Sequence, residues 1–199
     1  MTIRILGLDP SLTHTGWSVA EVCPIKREIL DIIDAGTIIT APTKNKQVRA
    51  SSDALFRART VKGELYSIID QHSVKLACSE IPSGAQSAKA LYAFGIVVGL
   101  VASLPVPVLE VTPREVKLAT VGKLTADKED MVRWAVDLTY RVGGTKLWET
   151  GRKNDWEIEI CSKHVLKAEE HKADSMCGIQ AAISSEQFRQ LAGMMAAVI

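Results

Sequence analysis

The chain has 199 residues, with 24 Lys and Arg against 23 Asp and Glu. A net charge of +1 gives no global basic bias, so any hold on nucleic acid must rest on local patches. Hydrophobic residues at 47% and charged residues at 24% are an ordinary globular composition, enough for one domain (residues 1–199) with a substantial core. The longest apolar run, Phe94 to Leu109, is broken by Gly, Ser and Pro and is too short for a bilayer. The first residues lack a signal-peptide layout, so a soluble, cytoplasmic protein in a bacterial, virus-infected or organellar setting is expected.

In chain order, Ile3 to Asp9 reads as a buried strand that leaves one carboxylate, Asp9, at its C-terminal edge. Gly16 to Val22 is a second strand. Ile29 to Ile39 is a third, interrupted near Asp34-Ala-Gly36, and the three form an antiparallel meander. From Lys44 to Lys62 six basic residues meet a single acid, either a phosphate-facing patch or a solvated helix face. Within this stretch Ser51-Ser-Asp53 can cap a helix to about Gln71, with Leu55, Ala58, Val61, Leu65 and Ile68 on one face. Val74 to Ser79 is a fourth strand, ending in Glu80.

The next helix, about Gln86 to Leu104, is apolar nearly all round and should be buried, between subunits if not within the chain. Gly95 and Gly99 would permit close approach there or simply accommodate the sheet. Val108 to Val111 is a fifth strand. Pro113 opens a short helix to Val121, and Thr125 can cap another in which Lys128 is the third residue. From 142 to 166 periodicity fades into an inserted loop or hairpin carrying Trp148 and Trp156. A helix from near Ala168 bears Glu169, Glu170, His171 and Asp174 in front of Met176, Ile179, Ala182 and Ile183. The tail from Glu186 forms one more helix.

Cys23, Cys78, Cys161 and Cys177 form no CxxC pair, and Cys161-Ser-Lys-His164 lacks a second pair, so free thiols rather than zinc are expected. The acids are more telling. Asp9 and Glu80 end strands, and His171 and Asp174, three apart, share a helix face. Carboxylates with an imidazole and no thiolate suit Mg²⁺ or Mn²⁺. A pair of such ions about 4 Å apart can drive phosphodiester hydrolysis.

These residues resemble the RuvC family of Holliday junction resolvases, within the ribonuclease H-like superfamily. Ile-Leu-Gly-Leu-Asp9-Pro-Ser-Leu-Thr-His-Thr-Gly16-Trp resembles the family's first motif and Cys78-Ser-Glu80 its second acidic position. Ala88-Lys-Ala-Leu-Tyr-Ala-Phe-Gly95 is similar to its dimer-forming helix, and Val108 to Lys128 to its DNA-contacting segment. His171-Lys-Ala-Asp174 resembles the closing motif.

The resemblance implies an α/β fold with a five-stranded mixed sheet flanked by helices. It further implies a homodimeric endonuclease with a metal-binding catalytic set of Asp9, Glu80, His171 and Asp174, and two Mg²⁺ or Mn²⁺ ions per site. Lys117 would join the catalytic set, and Lys117, Lys128, Arg114 and Lys123 would contact DNA, so that paired nicks resolve four-way junctions in recombination and repair. Two departures stand out. Ser83 lies where many bacterial members carry a stacking aromatic, so either Tyr92, Phe94 or the tryptophan-bearing insertion substitutes or the stacking is absent. The stretch between Lys128 and His171 is also about twenty residues longer than in compact bacterial members. Alternatives are a nuclease for flaps, forks or RNA–DNA hybrids and a junction-binding protein without cleavage. An actin-like ATPase would need a second such domain.

Overall fold

The computed structural model describes residues 2–81, 84, 87–148 and 163–197. Strand β1 (Ile3–Asp9) runs through the middle of a five-stranded sheet ordered β3-β2-β1-β4-β5. Ile3 and Ile5 enter one apolar core and Leu6 and Leu8 the other, so this strand must be apolar on both faces. Strands β2 (His14–Cys23) and β3 (Glu28–Ile39) complete the expected antiparallel meander. β4 (Leu76–Glu80) and β5 (Val108–Val111) then add on in parallel. The third strand is continuous. Its irregularities are register slips against β2 that bypass Leu30 and Ile33, upstream of the expected break at Asp34-Ala-Gly36.

Helix α1 (Ala50–Gln71) covers one face with Ala54, Val61, Leu65 and Ile68. Two expectations for it fail. Ser51 and Asp53 lie inside the first turn, after an N-cap at Arg49, and Leu55 is 52% exposed. The buried stripe is shifted and carries Arg57, whose guanidinium is satisfied by the Leu12 carbonyl (2.8 Å) and Thr40 Oγ1 (2.9 Å). Helix α2 (Ala88–Ala102) is not buried all round. Val97, Leu100 and Val101 face the core, while Leu91 (65%) and Tyr92 (54%) are open to solvent. Gly95 and Gly99 meet nothing, so they do not accommodate the sheet.

On the opposite face lie α3 (Pro113–Thr120), α4 (Lys128–Val142), α5 (Lys163–Ser184) and α6 (Glu186–Ala197). Thr112 and Glu115 form a capping box around Pro113. For α4 the cap is Asp127, paired with Asp130, rather than Thr125, which makes Lys128 the first helical residue. Met176, Ile179, Ala182 and Ile183 are buried as expected. Helix α5 starts five residues before Ala168. Its backbone lies directly on the sheet, where a Cβ at Gly7 would strike the Ser175 carbonyl and one at Gly16 the His171 carbonyl.

After α4 a 3₁₀ turn (Thr145–Leu147) leads to Trp148, which is buried and donates its indole N–H to Thr139 Oγ1 at 2.8 Å. Lys172 donates to the Leu147 carbonyl at 2.7 Å, pairs with Glu169 and stands 5.4 Å above the Trp148 ring. The rest of the insertion, with Trp156 and Cys161, lies outside the described residues, as does Ser83. No helix among the described residues is long and apolar enough to cross a membrane.

Candidate active site

Parallel pairing of β1 with β4, Gly7 beside Cys78 and Leu8 beside Ser79, brings the strand ends Asp9 and Glu80 out side by side. Past Asp9 the chain turns on hydroxyls. Ser11 Oγ accepts from the Thr13 and His14 amides at 3.1 and 3.0 Å, and Thr15 Oγ1 donates back to the Ser11 carbonyl. Helix α5, seated against Gly7 and Gly16, brings His171 and Asp174 to the same place from below. Two cations arrive from the β5 side, Lys117 on α3 and Lys128 at the start of α4.

Asp9, Glu80, Asp174, Lys117 and Lys128 all line one cavity of about 490 Å³. His171 stands beside Asp9, with Nδ1 2.6 Å from the carboxylate oxygen Oδ2. Arg114 and Lys123 are exposed and do not line the cavity. Tyr92 and Phe94 lie on α2, away from this lining. Two neighbours of the cluster carry no signal in the sequence. Glu170 pairs with Lys128, and the His14 ring stacks on His171 with centroids 5.6 Å apart. Glu170 reads only as one more acid on the last helix, and His14 as part of the turn between Asp9 and the second strand.

The charges are poorly neutralised. Burial, reinforced by the Asp9 and Glu170 carboxylates, pushes Asp174 up to about 7. Burial and the nearby Asp9 also raise Glu80, which Lys117 only partly offsets. His171 is raised by its hydrogen bond to Asp9, which favours imidazolium near neutrality. Lys128 is held charged by Glu170. By contrast Cys78 is pushed up to about 12 by burial alone and is chemically inert.

These donors fit a hard divalent cation in kind: carboxylates and an imidazole, gathered where like charge raises their proton affinity. They stand apart at rest, since Asp9 is engaged by His171 and no three such groups among the described residues enclose a single point. Binding a cation would exchange the Asp9–His171 hydrogen bond for coordination.

Residues 5–142 match the family described as crossover junction endodeoxyribonuclease RuvC. A protein of that description from Hyphomonas neptunium is 33% identical over 165 residues, covering 82% of this chain and 92% of its own. Another from Endomicrobium trichonymphae is 34% identical over 133 residues, 65% of each chain. Among solved structures, Thermus thermophilus RuvC in complex with Holliday junction substrate superposes with a TM-score of 0.65 at 18% identity. That superposition covers 94% of this chain and 97% of the other. The yeast mitochondrial Holliday junction resolvase follows with a TM-score of 0.54 at 11% identity, covering 97% and 84%. At such identities the structures speak for the fold, which is ribonuclease H-like. The sequence matches carry the assignment further: this chain belongs to the RuvC family of crossover junction endodeoxyribonucleases.

Proposed function

We propose that residues 1–199 act as a single nuclease domain that, as a homodimer, resolves four-way DNA junctions by paired symmetric nicks leaving 5′-phosphate and 3′-hydroxyl ends. The observation that carries this reading is the gathering of Asp9, Glu80 and Asp174 with Lys117 and Lys128 around one cavity. Asp9, Glu80, His171 and Asp174 would hold Mg²⁺ or Mn²⁺. Two bound ions supply an activated water and stabilise the charge on the leaving oxygen.

The chain's own groups do the rest. Lys117 and Lys128 orient the scissile phosphate and offset its growing negative charge. To reach it, Lys128 leaves Glu170. Arg114 and Lys123, exposed beyond the cavity, contact the flanking backbone. The relatives are bacterial proteins, which supports action on DNA in the cytoplasm. The exposed apolar side of α2, with open space at Gly95 and Gly99, supports a dimer through that helix.

The test is cleavage of a labelled synthetic junction beside a flap, a fork and a linear duplex, with Mg²⁺, Mn²⁺ or EDTA. Metal-dependent paired nicks confined to the junction are expected. Equal cutting of flaps and forks would replace the reading with a broader branched-DNA nuclease, and binding without cutting would leave a junction-binding protein.

A further inference from the structure

The basic stretch from Lys44 to Lys62 plays no part in the site just described. Six cations against one acid give it a net +5, while the whole chain carries +1. The structure divides this charge by purpose. Arg57 is buried and structural, and Asp53 is used twice, accepting from the Thr43 amide at 2.9 Å and lying 3.9 Å from Arg57. Lys44, Lys46, Arg49, Arg59 and Lys62 are exposed, and among the described residues none has an ion-pair partner.

The loop is fixed relative to the carboxylates. Thr40, where β3 ends, takes the Thr13 carbonyl through its amide (2.9 Å) and the Leu12 carbonyl through its hydroxyl (2.5 Å). Arg57 clamps the same two points from α1. Leu12 is three residues from Asp9, at most about 10 Å along the chain. Internal hydrogen bonds at Asn45 shape the loop itself: its side chain accepts from the Gln47 amide and its carbonyl from the Val48 amide. The ties at Leu12 and Thr40 therefore anchor the start of this stretch close to the strand end that carries Asp9. The cations lie on the β3 side of β1, whereas Lys117 and Lys128 come from the β5 side.

We propose that Lys44, Lys46 and Arg49 form a second phosphate-binding surface, which seats the backbone of a duplex arm on the side of the site opposite α3 and α4. This rests on the junction-cutting reading and adds an arm contact to it. Unpaired cations on a stretch anchored beside a phosphodiester site, in a chain otherwise net negative, complement a polyanion.

The test is junction binding in EDTA between 50 and 200 mM salt by the wild type, the K44Q/K46Q/R49Q variant and a K44R/K46R variant. Each lost phosphate contact lowers the slope of log Kobs against log salt by about 0.9, so a slope shallower by about 2 to 3 is expected, with binding weakened about 10- to 100-fold and the arginine variant at wild-type level. The replaced side chains are exposed and make no ion pair among the described residues, so the far-ultraviolet spectrum should not change. An unaltered slope in the triple variant, with or without weaker binding, overturns the proposal and leaves these cations to an acidic protein surface. A wild type that binds no junction overturns the functional reading as well.

Discussion

The two faces of the sheet are finished differently. On one, α5 lies on the strands with backbone against backbone at Gly7 and Gly16, and α3, α4 and α6 seal the remainder. Asp9, Glu80, His171 and Asp174 all belong to this side. On the other, α1 buries Val61, Leu65 and Ile68, but α2 leaves Leu91, Tyr92 and Val98 in solvent. The closed face holds the four candidate ligands on elements packed directly against one another. The open face is where the proposed second copy would dock, and two sites related by a dyad are what paired cutting requires.

The sharpest way to break the contrast is at the closed face. Asp9→Asn and Glu80→Gln should each lower the cutting rate by about 10³-fold or more, since a metal ligand supports several kcal/mol of transition-state charge, while junction binding and the dimer persist. Equal loss of folding or binding would place these acids in the architecture instead. At the open face, Leu91→Glu with Val98→Glu should weaken the dimer by at least ~30-fold, about 2 kcal/mol, read by sedimentation. A fully dimeric variant would move the interface elsewhere.

The smallest effect probes what the closed face costs. Asp174 is raised from 3.8 to about 7, so the stability tied to its protonation is complete below about pH 4 and is lost as pH climbs through 7. In EDTA at pH 8, Asp174→Asn should therefore be more stable than the wild type by about 1 to 3 kcal/mol, less than the full shift implies because some solvent reaches the side chain. The gap should close near pH 4. Mg²⁺ should raise the wild-type Tm but not that of the variant. A pH-independent gap would mean the carboxylate is already neutralised.

Much of this was legible in the chain. All five strands, the strand-end positions of Asp9 and Glu80 and the apolar stripe behind Asp174 follow from local patterning. Thr125 and Asp127, two residues apart, are both competent caps, and the capping box with Asp130 decides for Asp127. Leu55 fell on the wrong face because the buried Arg57 shifts the stripe, and a charge inside a core is readable only once the Leu12 and Thr40 acceptors are in place. Hydrophobicity places α2 out of water, within the chain or between subunits, and the structure leaves Leu91, Tyr92 and Val98 exposed because only Val97, Leu100 and Val101 reach the sheet. The Lys128–Glu170 pair spans 42 residues of sequence, beyond any local signal.

The seating of α5 has a practical meaning. Trp148, tied to Thr139, pins the chain before residue 149, and the glycine contacts pin the helix after residue 162. The chain is thus fixed on both sides of residues 149–162. A methyl group at Gly7 or Gly16 would therefore act as a wedge, lifting α5 off the sheet and carrying His171 and Asp174 away from Asp9.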